Sequence, residues 1–275
     1  MKSVVEMGSA AGGARGDAPA VRVSGASYVR GGYRSFEFAD ITARSRQVTV
    51  LLSGERALAR DLLLAVAGAV RPTSGSLAVG DASFAAATGA GKGTGALQAA
   101  ATWRAFQRQL RATGTVGLGV FTGLTEVAPS LTVEEAVARE LGHRRSVRAE
   151  AFDSLDFLAR FGLATYADQR IERLQPDARA RLSAALALAP APLVAVVDLR
   201  DPFCMGLTED EEREVVRELR AIACSIGAAV VVSCSEASSS ADADAVFTLD
   251  VAAAEALSVV DAAVSARFVS EGVDA

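Results

Sequence analysis

Histidine and lysine are almost missing from this chain of 275 residues: His143 is the only histidine, and Lys2 and Lys92 are the only lysines among 28 basic residues. One histidine excludes a multi-histidine metal centre, and any Ser-His-Asp or Cys-His arrangement would have to be built on His143. A lysine that cradles phosphate would have to be Lys92, because Lys2 lies in a Gly-, Ala- and Ser-rich leading segment that reads as a loose tail. Cysteine is scarce too. Cys204, Cys224 and Cys234 are odd in number and show no CxxC spacing, which points to free, buried thiols in a reducing compartment. Aromatic residues make up 5% of the chain against 51% hydrophobic residues, so the positive mean hydropathy of +0.27 comes from alanine and not from a membrane span. The longest apolar stretch, Leu182 to Val197, is broken by Pro190 and Pro192 and is shorter than the roughly 20 residues a bilayer requires. A basic surplus is also lacking: the net charge of -5 and pI of about 5.1 argue against a dedicated nucleic-acid binder. No apolar h-region is found in the leading segment, so no secretory signal is expected and the chain reads as cytoplasmic.

What is present alternates between strands and helices. VRVS and SFEFADI, on either side of Gly31-Gly32, suggest a β-hairpin within residues 21–41. VTVLL (48–52), LVAVVD (193–198), AVVVS (229–233) and AVFTL (245–249) are short apolar runs of the kind that form strands covered on both faces. Ser53 is placed to cap a helix reaching Ala69, RPTSGS closes that helix, and SLAVG reads as a further strand. Residues 85–95 form a Gly- and Ala-rich loop before a helix from Leu97 to Arg111, and TVGLGVF (115–121) reads as a strand. Thr132 with Glu135, and Thr208 with Glu211, have capping-box spacing, so helices are expected after each; the second should run to Ile226 and stop at Gly227. A helix is expected from about Asp177 to Ala189, and an amphipathic one at the C-terminus. Strand-to-helix alternation of this kind is an α/β signal.

The order and spacing go further. VTVLLSGERALARDLLLAVAGAVRPTSGSLAV resembles the first strand, phosphate loop and helix of an ATP-binding cassette (ABC) transporter ATPase. VGLGVFTGLTEVAPSLTVEEAV resembles that family's Q-loop and the entry to its helical subdomain, RLQPDARARLSAALALAPAPLVAVVD its signature helix and Walker B strand, and AAVVVSCSEASSSADADAVFTL its H-loop strand. The resemblance implies an α/β, P-loop NTPase-like core with an N-terminal antiparallel β part and an inserted α-helical subdomain. Its divisions would be a disordered tail at 1–20, the cassette at 21–250 with the helical subdomain at about 123–175, and a C-terminal helix at 251–275.

Carried over position by position, the resemblance assigns the nucleotide site to residues of altered chemistry. A Walker A loop needs glycines whose N–H groups surround phosphate, a lysine, and a Ser/Thr on Mg²⁺. The matching stretch SGERALARD has Ser53 for the first glycine, Gly54 after it, Leu58 for the last glycine, Ala59 for the lysine, and Arg60 with Asp61 for the hydroxyl pair. Leu58 is expected to crowd the phosphates and Asp61 to repel them. The adenine-stacking aromatic falls at Arg30, the Q-loop glutamine at Thr122, and the signature motif at Leu174 to Ala178. The Walker B aspartate is kept as Asp198, Leu199 stands at the catalytic glutamate, Asp201 could be a displaced acid, and the switch histidine falls at Ser235.

The implied function is a degenerate ABC subunit: a non-hydrolysing scaffold or regulatory partner of a membrane permease or of an active ABC ATPase paralogue, as a homo- or heterodimer. Nucleic-acid binding and direct membrane insertion are not expected, nor is a cofactor, and the location would be cytoplasmic or peripheral on the inner membrane face. The permease would dock near Phe121, Thr122, Pro129, Leu131 and Glu134. Two alternatives stay open. TGAGKGTG (88–95) resembles the phosphate loop of adenylate-kinase-type enzymes, so Gly89 to Thr94, with Lys92 and Asp198, could serve an ATPase or nucleotide kinase using ATP and Mg²⁺; set against this, ASFAAAT before it does not read as a buried strand. Alternatively, Arg60 could stand in for the lysine of an ATP-binding, non-hydrolysing regulator. His143, the basic group Arg144, Arg145 and Arg148, and the acids Glu209 to Glu212 read as surface and helix-start residues. Trp103 and Phe106 read as core before they read as a docking surface.

Overall fold

The computed structural model describes residues 18–30, 32–86, 94–142 and 153–249. The N-terminal part is a sheet made of β1 (Val21–Ser27), β4 (Ala39–Ala43), β6 (Ser74–Val79) and β7 (Ala82–Ala85), with β2 (Val29–Arg30) and β3 (Tyr33–Arg34) forming a small hairpin between β1 and β4. The pairs β1–β4, β1–β6 and β6–β7 are antiparallel, in the order β4-β1-β6-β7. The second sheet is parallel throughout, in the order β11-β5-β10-β9-β8, built from β5 (Val48–Ser53), β8 (Val116–Leu118), β9 (Val194–Asp198), β10 (Ala229–Cys234) and β11 (Ala245–Leu249). The helices are α1 (Arg56–Val66), α2 (Thr94–Thr113), α3 (Val133–Gly142), α4 (Ser154–Ala159), α5 (Pro176–Leu188) and α6 (Glu209–Ile226).

Alternation along the parallel strands sends side chains into two cores. Val48, Val50, Ala195, Val197, Val230 and Val232 pack with α3, α4, α5 and α6 on one face. Leu51, Val194, Val196, Ala229 and Val231 pack with α1, α2 and the antiparallel sheet on the other. Every residue of β9 and β10 is buried, as expected of parallel strands covered on both faces. β11 departs from the expectation of a buried strand: it is an edge strand, paired only with β5 and half-exposed along its length. Trp103 and Phe106 are core residues. Trp103 meets Phe84 edge-on at 4.9 Å between centroids and stacks on Phe106 at 5.1 Å.

Several local expectations change. α6 has both halves of the Thr208–Glu211 capping box and ends at Gly227 with φ 87. α1, however, is not capped by Ser53. Its N-cap is Glu55, whose side chain makes no cap bond, while Ser53 Oγ donates to the Glu55 carbonyl at 2.9 Å. The helix also stops earlier, at Val66, because Gly68 turns left-handed at φ 75. ASFA, which does not read as a buried strand, is β7, a half-buried edge strand of the antiparallel sheet and not part of the parallel one. The strand expected over 115–121 shortens to Val116–Leu118. Cys204 and Cys234 are buried as expected, but Cys224 is exposed. Lys92, His143, Arg144, Arg145, Arg148, most of the tail and the C-terminal segment lie outside the described residues.

Candidate functional site

The carboxyl end of the parallel sheet brings together α1, the loop after β8 and the loop after β9, and the side chain at their meeting point is Arg60. The reason is local. ERALARDLLLAV is rich in strong helix formers, so the chain re-enters helix at Arg56 with only Gly54 and Glu55 between β5 and α1. Leu58 and Ala59 then fall on the buried side of the helix, 4% and 0% exposed. Leu58 therefore joins the core and does not crowd a loop, which corrects its expected position.

Arg60 Nη1 donates to Asp201 Oδ2 at 2.5 Å and to Asp198 Oδ2 at 3.4 Å, and Nη2 donates to the Thr122 carbonyl at 2.6 Å. The guanidinium carbon lies 5.4 Å from the centroid of the buried Phe121 ring. Asp201 is saturated with donors: besides Arg60 it accepts from the Thr122 hydroxyl at 2.5 Å, the Thr122 amide at 2.9 Å and the Phe203 amide at 3.0 Å. Asp198 accepts from Ser233 Oγ at 2.6 Å and from the Arg200 amide at 3.1 Å. Arg200 reaches across to the strand–helix link, donating through Nη1 to the Ser53 carbonyl and through Nη2 to the Gly54 carbonyl. The site is thus a closed network of arginines, carboxylates and main-chain carbonyls.

Its two buried carboxylates are tuned in opposite directions. Burial pushes Asp198 above the ordinary value of 3.8, outweighing its hydrogen bond from Ser233. Burial also acts upward on Asp201, but the Thr122 hydroxyl, the amides of Phe203 and Thr122, and Arg60 outweigh it and hold Asp201 below 3.8. Folded Asp198 binds its proton more tightly than the unfolded chain does, so its contribution to stability grows as pH falls through its folded value towards 3.8. Asp201 contributes stability that is present above 3.8 and is lost as pH falls through its lower folded value. The wild-type protein should therefore gain in urea midpoint on Asp198→Asn as pH is lowered from neutral towards 4. A pH-independent difference between the two would contradict the raised value.

Of the residues singled out from sequence, Ser53, Gly54, Arg60, Thr122, Asp198 and Asp201 share this cluster. Asp61 stands apart, accepting from the Tyr33 hydroxyl at 3.3 Å. Leu199 is buried, and Ser235 turns to the buried Glu212, to which its amide donates at 3.1 Å and its hydroxyl at 2.9 Å. Phe121 is fully buried and so is not a docking residue, Glu134 accepts from Ser154 at 2.6 Å, and Leu124 is the half-exposed apolar side chain of that loop. Sequence reasoning did not reach Arg200 or Ser233. The signal for the first was the opposite-charge pair Arg200-Asp201 directly after a strand ending in Asp198. Among the described residues no group of three or more His, Cys, Asp or Glu side chains could hold a metal. Burial raises the Cys204 and Cys234 thiols, which disfavours thiolate chemistry there.

No protein-family model and no curated protein matches this chain. Solved structures do. A nucleotide-free ATP-binding cassette from an ABC transporter is similar with a TM-score of 0.59 and 11% identity, over 84% of this chain and 88% of that one. An ATP-binding cassette of an ABC transporter in its ADP conformation gives 0.58 and 12%, over 85% and 88%. CbiO1 from Clostridium perfringens, part of the ABC transporter complex CbiONQ, gives 0.55 and 15%, over 85% and 86%. The fold is therefore the mixed α/β, P-loop NTPase-like fold of ABC cassettes.

Proposed function

We propose that the chain is an ABC-cassette-type subunit that neither binds nor hydrolyses ATP and works through protein contacts, as a scaffold or regulatory partner of a membrane permease, of an ATPase-competent paralogue, or of both. The observation that carries this reading is the position of Arg60: its guanidinium lies between Asp198 and Asp201 where a phosphate loop would need room for a cation and a triphosphate. Mg²⁺-ATP does not fit these residues. A phosphate loop surrounds the β-phosphate with successive backbone N–H groups, which takes more than the two residues available between β5 and α1. The Ser53 and Gly54 carbonyls accept from Arg200, Leu199 is in the core where the family has a catalytic glutamate, and Ser235 is tied to Glu212.

The partner reading draws on neighbours such as CbiO1, described as part of a transporter complex, and on the exposed stretch Thr122 to Leu124. No helix of the described residues is long and apolar enough to cross a membrane, so contact with a permease would be peripheral, on the cytoplasmic face. Titration with Mg²⁺-ATP, by calorimetry and thermal shift, should give no heat and no change in melting temperature. Binding with a dissociation constant a hundredfold below the ligand concentration would instead stabilise by about 2.7 kcal/mol. Mg²⁺-dependent ATPase turnover that disappears in Asp198→Ala would overturn the reading, and a thermal shift that disappears in Lys92→Ala would move nucleotide binding to the TGAGKGTG stretch.

A further inference from the structure

Three stretches remote in sequence meet at one guanidinium, and the geometry at Thr122 shows what the meeting does. Thr122 is gripped from two sides: its carbonyl accepts from Arg60, while its amide and hydroxyl both donate to Asp201, which is itself paired with Arg60. The residue before it, Phe121, is buried beneath the same guanidinium, and its carbonyl accepts from the amides of Leu124 and Thr125, both at 2.9 Å. The Phe121 amide also donates to the Thr125 carbonyl, and the Thr125 hydroxyl donates to the Gly119 carbonyl at 2.7 Å. The chain is therefore held at both ends, while Thr122, Gly123 and Leu124 between them are exposed and Thr122 is tied to Arg60 and Asp201. Asp201 is fully buried and Asp198 is 1% exposed, so a cation is needed between them: two carboxylates this close in a dry site cannot both stay ionised without one. A planar fork can bond to carboxylate and carbonyl at once, and being tethered to α1 it does not dissociate.

We propose that Arg60 is a built-in ligand, a permanent cation that joins α1 to the loop after β8 and keeps residues 122–125 in one setting whatever nucleotide is in solution. The permanence rests on the reading that no nucleotide enters the site; the tie itself is tested without nucleotide. Native-state hydrogen exchange on the full chain compares wild type with Arg60→Gln and Arg60→Ala. The amides of Thr122, Leu124 and Thr125 should exchange on the order of tenfold faster in both variants, relative to α5 and α6 amides as an internal reference. Methylguanidinium at millimolar concentration should restore part of that protection in Arg60→Ala, a rescue that a merely space-filling arginine would not show. Protection at 122–125 equal to wild type in a folded Arg60 variant overturns the proposal. If neither variant folds, Thr122→Val, which removes the hydroxyl donor to Asp201 at an exposed position, should show faster exchange confined to 122–125, and wild-type protection there overturns it equally. Mg²⁺-ATP binding by the wild type would defeat the functional reading while leaving the exchange result standing.

Discussion

Replacing Asp201 with alanine should cost about 3–5 kcal/mol of unfolding free energy, the range for breaking a buried ion pair by removing one partner. Asp201 is fully buried and is the acceptor on which Arg60, the Thr122 amide, the Thr122 hydroxyl and the Phe203 amide converge. Its removal strands donors on two loops, and leaves a guanidinium only 19% exposed with Asp198, 3.4 Å away, as its remaining carboxylate. Asp198→Asn is the contrast. The asparagine oxygen can keep the bonds from Ser233 and the Arg200 amide, and the bond given up is the long one from Arg60 at 3.4 Å, so a loss of about 1 kcal/mol is expected. Urea unfolding with equal m-values measures both. An Asp201→Ala variant within about 1 kcal/mol of wild type would mean that the network is solvated and weak.

The two carboxylates also show what could be read from the sequence. Asp198 was legible because it ends an unbroken apolar run, and such runs mark parallel strands covered on both faces; VTVLL and AVVVS were legible for the same reason. α6 was legible to the residue because its start and stop are local, a capping box and a left-handed glycine. β7 was not: ASFA has little strand character of its own, and pairing with β6 together with Phe84 packing on Trp103 makes it a strand. The start of α1 was read two residues too early, because Ser53 is a good N-cap residue in isolation, whereas its hydroxyl turns to the Glu55 carbonyl and Glu55 holds the cap position. Arg60, Thr122 and Asp198 were each named by family position, but their convergence is non-local. The Arg60–Asp198 and Arg60–Asp201 bonds span 138 and 141 residues, and no periodicity or spacing carries that information.

Arg60 and the two sheets are connected through packing. α1 is held against the parallel sheet by Leu58, Ala59, Leu62 and Leu63, in the same core cluster as Val23, Ile41, Leu77 and Val79 of the antiparallel sheet. A guanidinium that must reach two carboxylates and a carbonyl within hydrogen-bond distance requires its helix to be seated accurately. The antiparallel sheet, which contributes no side chain to those three bonds, therefore helps to define the site.

Gly75→Ala tests that dependence and should be the most damaging single-methyl addition in the N-terminal sheet, at about 2–6 kcal/mol. Gly75, in the RPTSGS segment, has φ 76, and a Cβ there would lie 2.3 Å from the Gly25 carbonyl oxygen and 2.5 Å from the Ala26 Cα. β1 and β6 cross there at a register shift between Ser24 and Ser27, and Thr73 locks the crossing: its amide and hydroxyl donate to the Ser27 carbonyl at 2.7 and 3.0 Å. Holding a non-glycine residue left-handed costs about 1–3 kcal/mol, and forcing a methyl against backbone that cannot rotate away adds about 1–3 more. Gly32→Ala separates the two contributions, because Gly32 also has positive φ, at 84, but has open space around the added methyl. It should lose only the conformational part, about 1–3 kcal/mol. If the two variants lose the same amount, the close approach at Gly25 carries no weight. If Gly75→Ala loses more and also speeds exchange at Thr122, the antiparallel sheet is setting the position of Arg60 through α1.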